Sequence, residues 1–215
     1  MDWYEPDVRE LEKVIKTAAR PPDPVVFYGS STIRLWNNLA EDLASPRALN
    51  LGFGGSTLEA CAHFFERLIP TVKPCSLVIY AGDNDLGDGR SPQEVLKFFR
   101  SLASQVDRAL NGIAFGFISI KPSPARFGII DRIRAANLAV RREIESRPRG
   151  YFIDVFPAML KPDGGPQTKF FNDDGLHMNR NGYELWIKLL SPYRNQMFTK
   201  DCPERKPDRV PSDVE

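Results

Sequence analysis

Short apolar segments alternate with longer amphipathic segments along most of this chain. Five apolar runs rich in β-branched and aromatic residues predict buried strands over residues 25–28, 48–51, 77–81, 113–120 and 151–155. Between them, apolar residues recur at helical spacing and predict helices over residues 4–19, 32–43, 57–69, 91–106, 130–144 and 180–190. Ser91 and Glu94 form a capping-box pattern around Pro92 that marks the start of one of these helices.

Strands that alternate with helices five times over predict a parallel sheet covered on both faces. Because crossover connections are right-handed, the doubly wound arrangement is favoured, with ligands at the carboxyl ends of the strands. We expect one α/β domain over residues 25–198, preceded by an N-terminal amphipathic helix and linker over 1–24. Residues 199–215 are charged and interrupted by proline, and we expect a flexible tail there.

Composition argues against several classes of function. Twenty-nine basic and 28 acidic residues leave a net charge of +1, so we expect no nucleic-acid partner. The acidic N-terminus is not followed by an apolar segment, and no apolar run is long enough to span a bilayer. We therefore expect no signal peptide, no membrane insertion and a cytoplasmic location. Nothing in the sequence specifies the oligomeric state.

The cysteines give no sign of a metal site or of a disulfide framework. Cys61, Cys75 and Cys202 are three in number, lie far apart and lack zinc-ligand spacing. We therefore expect neither a metal nor another cofactor.

Polar and titratable residues gather where the predicted strands end. They follow the first, second, third and fifth strands as four clusters, at residues 29–32, 52–57, 82–85 and 173–177. Because parallel strands end at one edge of a sheet, the four clusters should meet there.

These clusters contain the groups needed for serine chemistry. A serine hydroxyl at a strand-to-helix turn is a weak nucleophile that needs an adjacent base. His63 lies within an amphipathic helix, on the side away from its apolar residues, whereas His177 lies in a glycine-containing loop. Asp174 precedes His177 by three residues and can orient the imidazole. The backbone N–H of Gly55 and the side-chain amide of Asn84 are candidate donors to an oxyanion.

Four ordered blocks carry a family resemblance: Phe-Tyr-Gly-Ser-Ser, Asn-Leu-Gly-Phe-Gly-Gly-Ser-Thr, Gly-Asp-Asn-Asp and Asp-Gly-Leu-His, which begin at residues 27, 50, 82 and 174. Together they resemble the blocks of SGNH (GDSL-like) hydrolases and span roughly residues 25–190. The resemblance implies a flavodoxin-like three-layer α/β/α sandwich, and we expect its five-stranded parallel sheet to have the order 2-1-3-4-5. It also implies serine esterase or lipase-type activity without a cofactor.

The same resemblance assigns roles to individual residues. It implies Ser31 as nucleophile, with Asp174 and His177 as the acid–base pair. The implied oxyanion donors are the Ser31 N–H, Gly55 and Asn84. One position departs from the family pattern, because Ser30 stands where the first block usually has aspartate. The departure leaves two adjacent serines as candidates, and alignment on the preceding glycine favours Ser31.

Other interpretations of the same residues remain open. The serine pair is also typical of a helix N-cap, and a flavodoxin-like binding protein could hold a phosphate at residues 29–32. Lysophospholipase or thioesterase activity on longer acyl chains is a further alternative. We expect a small or carbohydrate-linked ester with a short acyl group, because the catalytic edge is rich in polar and small residues. Residues 121–124 are expected to form a stiff connecting loop at the same edge.

Overall fold

The computed structural model describes residues 1–17, 21–110 and 112–198. Its centre is a five-stranded parallel sheet with the strand order 2-1-3-4-5. The strands are β1 (Val25–Gly29), β2 (Ala48–Gly52), β3 (Ser76–Tyr80), β4 (Ala114–Ile118) and β5 (Gly150–Ile153). Each lies within two residues of its predicted position, and the predicted strand order is confirmed.

Helices cover both faces of the sheet and form the outer layers of a three-layer fold. They are α1 (Glu5–Thr17), α2 (Ser31–Arg34), α3 (Leu39–Asp42), α4 (Leu58–Leu68), α5 (Asp83–Gly87), α6 (Pro92–Ala109), α7 (Ile130–Glu145) and α8 (Arg180–Leu190). One face of the sheet packs with α1, α4, α6 and α7 around one apolar core. The other face packs with α2, α3 and α8 around a second core.

The sheet register places the starts of the first three polar clusters side by side at one edge of the sheet. Gly29, the last residue of β1, lies opposite Gly52 on one side and Tyr80 on the other, and these residues end β2 and β3. The segments that follow the three strands therefore leave the sheet side by side.

The N-terminal helix is attached to the domain through buried contacts. Val8 and Ile15 are buried in the first core, and Arg67 of α4 bonds to Glu5 and Glu12 of α1. Helix α1 ends at Thr17 among the described residues, and the predicted tail over 199–215 lies outside them.

The helix predicted over residues 32–43 is interrupted, and this prediction is wrong. Two short helices, α2 and α3, stand in its place. The side-chain amide of Asn50 donates to the carbonyl oxygens of Ile33 (2.6 Å) and Trp36 (3.3 Å), which lie at the interruption. The same two oxygens accept the backbone N–H groups of Trp36 and Leu39, so a side chain from β2 adds hydrogen bonds where the helix is interrupted.

Two further features bear on the composition-based expectations. None of the helices in the described residues is long and apolar enough to cross a membrane. Cys61 is a buried free thiol, whereas Cys75 is disulfide-bonded, a feature that the odd cysteine count did not predict.

Candidate active site

Ser31 is placed by a tight turn at the end of β1. Gly29 has a φ of +139°, and a Cβ at this position would collide with the carbonyl oxygen of Tyr80. The next residue, Ser30, is extended and donates its N–H to that same oxygen at 2.9 Å. Ser31 then begins α2. The first N–H groups of a helix have no acceptor within the helix, so Ser31 presents a backbone donor beside its own hydroxyl.

The two adjacent serines have different surroundings. Ser30 is 1% exposed, and its hydroxyl has no hydrogen-bond partner among the described residues. Ser31 is partly exposed and lies beside His177. The geometry therefore favours Ser31 as the serine that can meet a substrate.

Ser31, His177 and Asp174 form one hydrogen-bonded chain. The Nε2 atom of His177 lies 3.1 Å from Oγ of Ser31, and its Nδ1 atom lies 2.6 Å from Oδ2 of Asp174. Because an ionised carboxylate can only accept hydrogen bonds, the proton of a neutral His177 belongs on Nδ1. Nε2 is then left as an acceptor for the serine hydroxyl, which is the arrangement of a nucleophile, a base and an orienting carboxylate.

The charge of Asp174 is stabilised by its own loop. Its Oδ1 atom accepts the backbone N–H groups of Leu176 at 2.8 Å and His177 at 2.9 Å. These bonds, together with the bond from the imidazole, lower the pKa of Asp174 to about 2. Asp174 therefore stays ionised throughout the range in which a histidine changes its charge.

This arrangement predicts the pH dependence of an activity at this site. Only neutral His177 can accept the serine proton, and protonation removes that capacity as the pH falls. Because Asp174 remains ionised, the acid-side decrease in kcat/KM should follow a single proton. Steady-state rates on a soluble ester between pH 5 and pH 9 would measure the profile. His63 is exposed on α4, so His63→Ala should show the same profile, and a flat profile in the unmodified protein would contradict a histidine base.

The second and third clusters are in contact with each other. The side-chain amide of Asn84 donates to the carbonyl oxygen of Ser56 at 3.0 Å, which ties α5 to the loop that contains Gly55. Gly55 has a φ of +65°, and the N–H of the preceding Gly54 donates to Asp7 of α1 at 2.9 Å. An amide carries two N–H donors, so one donor of Asn84 remains for a ligand. The structure therefore places Gly55 and Asn84 on neighbouring segments, while their role as oxyanion donors stays a prediction.

A buried lysine lies beneath these segments, and sequence reasoning missed it. Lys121 is 1% exposed, and its ammonium group contacts Oδ2 of Asp83 at 3.0 Å, the hydroxyl of Tyr80 at 3.0 Å and that of Thr32 at 3.2 Å. Asp83 also accepts the backbone N–H of Asn84 at 3.0 Å. Residues 121–124 thus do more than connect two elements.

The short contact between Lys121 and Asp83 favours the charged form of both groups. Burial disfavours the charge of both groups, but their mutual attraction and hydrogen bond outweigh it. The pKa of Asp83 consequently lies below its ordinary value and that of Lys121 above it. A lysine directly after an apolar strand, at the edge where an aspartate follows the neighbouring strand, was the available sequence signal.

Comparison with known proteins finds relatives in sequence and in fold. Platelet-activating factor acetylhydrolase IB subunit alpha1 of Bos taurus is 27% identical over 191 residues, covering 82% of this chain and 77% of that protein. The subunit from Homo sapiens is 28% identical over 191 residues, covering 82% of this chain and 78% of that protein. A GDSL-like lipase from Bacteroides thetaiotaomicron superposes with a TM-score of 0.75 at 19% identity, covering 88% of this chain and 97% of that one.

The family itself is identified by a match over most of the chain. The sequence model of the GDSL-like lipase/acylhydrolase family matches residues 17–185, which include all four polar clusters. The resemblance drawn from those clusters is thereby confirmed. This chain belongs to the GDSL-like lipase/acylhydrolase family and is a hydrolase.

Proposed function

We propose that this protein is a serine ester hydrolase that works through an acyl-enzyme. The observation that carries the proposal is the hydrogen-bonded chain from Ser31 through His177 to Asp174. Oγ of Ser31 attacks the ester carbonyl while its proton passes to Nε2 of His177, and the Asp174 carboxylate stabilises the resulting imidazolium. The alcohol departs with that proton. Water then attacks the acyl-enzyme, with His177 again accepting a proton, and the carboxylic acid leaves as Ser31 regains its hydrogen.

The negative charge that develops on the carbonyl oxygen needs donors aimed at it. In our proposal these are the backbone N–H groups of Ser31 and Gly55 and the free N–H of the Asn84 amide. Two contacts support the assignment by holding the donors in place. Asn84 is fixed to the carbonyl oxygen of Ser56, and the hydroxyl of Tyr4 donates to the carbonyl oxygen of Gly55 at 3.2 Å.

The openness of the site supports a short acyl group. The side chains of His177 and Asp174 are 30% and 48% exposed, so water reaches the base and its partner. A buried methylene contributes about 0.8 kcal/mol, and an acyl chain that stays in water gains none of it. The relatives named as acetylhydrolases also favour acetyl as the group transferred here. We therefore propose a short-chain ester, with a carbohydrate or another small polar alcohol as the leaving group.

One observation favours the second candidate, hydrolysis of longer acyl esters. Trp3 is 83% exposed, and its Nε1 atom lies 3.9 Å from the position that a Cβ on Gly55 would occupy. A large apolar ring beside a proposed oxyanion donor could shield a longer chain from water. The N-terminal segment is therefore the part of the molecule that decides between the two substrates.

A series of 4-nitrophenyl esters from acetate to octanoate tests both candidates. We expect kcat/KM to be highest for the shortest acyl groups and to gain nothing from added methylenes. Background hydrolysis is measured with Ser31→Ala, and Trp3→Ala shows whether the ring contributes. A steady rise from acetate to octanoate that disappears in Trp3→Ala would replace the short-chain proposal with the long-chain one.

A further inference from the structure

Arg126 lies between two segments of the proposed site. It belongs to the 3-10 turn Pro124–Ile129, which follows β4 at the catalytic edge of the sheet. The turn is joined to the histidine loop, because the N–H of Ala125 donates to the carbonyl oxygen of Gly175 at 3.0 Å. The Arg126 guanidinium lies over Gly87, the last residue of the helix that contains Asn84. Arg126 therefore lies between the loop that contains His177 and the helix that contains Asn84.

The space around this guanidinium exists because residue 87 is a glycine. A Cβ on Gly87 would collide with the guanidinium carbon and with both terminal nitrogens of Arg126. Gly87 does not have a positive φ, so the glycine is required here for space and not for backbone conformation. The side chain of Arg126 is partly buried in this position.

The positive charge of Arg126 has no counterpart among the described residues. Its Nε is buried without a hydrogen-bond partner, and no ion pair joins the guanidinium to a described carboxylate. Asp83 is close enough to be affected by Arg126, but that carboxylate is already bonded to Lys121 at 3.0 Å. Asp174 is likewise engaged by His177. Both of these carboxylates are thus bonded to other side chains and not to Arg126.

A planar guanidinium with free donors suits a carboxylate or a phosphate, which it can bind through two parallel hydrogen bonds. We propose that Arg126 forms an anion subsite of this enzyme and that the preferred substrates are esters carrying a carboxylate or phosphate group near the scissile bond. The inference rests on the proposed ester hydrolase activity, because it assigns a substrate class to that same site. An anion subsite at Arg126 would make the enzyme prefer esters with a negative charge over neutral esters of the same size.

Two pairs of esters test the proposal and locate the anion. The first pair, 4-nitrophenyl acetate and mono-4-nitrophenyl succinate, places the negative charge on the acyl side. The second pair, phenyl acetate and 3-carboxyphenyl acetate, places it on the alcohol side. For each pair, the charge preference is kcat/KM for the anionic ester divided by kcat/KM for the neutral one. Comparing this ratio between variants cancels the intrinsic reactivity of the esters.

Arg126→Gln should lower the charge preference for one of the pairs by about tenfold, the effect of losing one charged hydrogen-bonding partner. Arg126→Lys should retain part of the preference, because it keeps the charge but loses the bidentate geometry. Gly87→Ala keeps the arginine but displaces its guanidinium, so it should also lower the preference. The matched control is Arg142→Gln, which removes the same charge from an exposed position in the last turn of α7, at the opposite edge of the sheet.

A binding measurement separates failure of this inference from failure of the proposed activity. Succinate binding to Ser31→Ala, measured by calorimetry, should weaken about tenfold when Arg126→Gln is added. If no ester is hydrolysed but succinate binding depends on Arg126, the hydrolase proposal fails and the anion subsite stands. If esters are hydrolysed but neither the charge preference nor succinate binding responds to Arg126→Gln, the anion subsite is overturned.

Discussion

Ser31→Ala is expected to lower kcat by about 10³-fold or more, because it removes the atom that forms the acyl-enzyme. The hydroxyl lies 3.1 Å from the imidazole that would take its proton, and no other described side chain hydroxyl is bonded to that nitrogen. The substitution removes a partly exposed oxygen atom. It should therefore leave the fold intact, which thermal unfolding would verify.

Labelling with a fluorophosphonate measures the same assignment independently of the substrate. This reagent forms a covalent adduct with an activated serine, and mass spectrometry after proteolysis locates it. We expect one adduct on the peptide that contains Ser31 and none in Ser31→Ala.

Ser30→Ala is the matched control, since it removes the same group one residue earlier. The Ser30 hydroxyl is buried without a partner among the described residues, so its loss should cost little stability and leave labelling intact. An inactive Ser30→Ala together with an active Ser31→Ala would show that the two serines have been assigned in the wrong order.

The activity and labelling measurements also distinguish a hydrolase from a flavodoxin-like binding protein. The cluster at residues 29–32, taken alone, is compatible with either function. A phosphate held at residues 29–32 needs neither an imidazole nor a carboxylate beside it. The structure brings both groups to Ser31 through the 2.6 Å and 3.1 Å contacts of His177. A protein that is labelled nowhere and hydrolyses no ester, although it is folded, would favour the binding function.

The sheet and the position of the site could be predicted because they depend on simple patterns. Buried parallel strands are continuous apolar runs, and residues 77–81 differ by one position from the observed β3. The clusters that contain Ser31 and His177 were recognisable because both follow strands, and parallel strands end at one edge. The distances between these residues depend on loop conformations that no periodicity specifies.

Other features depended on contacts between distant segments. At the interruption after Arg34, Asn50 in another strand donates hydrogen bonds to the backbone, whereas the local sequence favoured a continuous helix. The burial of Lys121 could not be read from its neighbours, because a lysine after a strand is ordinarily exposed. Its charge becomes tolerable only through Asp83, which lies 38 residues away in sequence.

That buried pair provides the prediction with the largest effect on stability. Lys121→Met keeps most of the side-chain length but removes the ammonium group, which leaves Asp83 buried without its partner. The side chains of Lys121 and Asp83 are 1% and 5% exposed, so solvent cannot replace the lost contact. Removing one member of a buried pair typically costs about 3–5 kcal/mol, and we expect a loss of this size in the free energy of unfolding. Urea denaturation at neutral pH would measure it.

Two comparisons distinguish the loss of a charge partner from a general packing defect. Adding Asp83→Asn to Lys121→Met should recover part of the stability, because the carboxylate that lost its lysine is then removed as well. Lys188→Met replaces an exposed lysine of α8 in the same way, and it should change the free energy of unfolding by less than about 0.5 kcal/mol.

The stability lost in Lys121→Met should depend on pH, because the pKa of Asp83 differs between the two proteins. In the unmodified protein the pKa of Asp83 is lowered, so the pair stabilises the fold above the ordinary pKa of an aspartate. That contribution is lost as the pH falls through the lowered value. In Lys121→Met, burial still raises the pKa of Asp83, and only the Asn84 N–H and the charge of Arg126 are left to oppose it, so the carboxyl becomes neutral at a higher pH than before. The stability deficit of the variant should therefore be largest near neutral pH and should shrink as the solution is acidified. A deficit that does not depend on pH, or that the second substitution deepens, would show that Lys121 contributes packing and not charge.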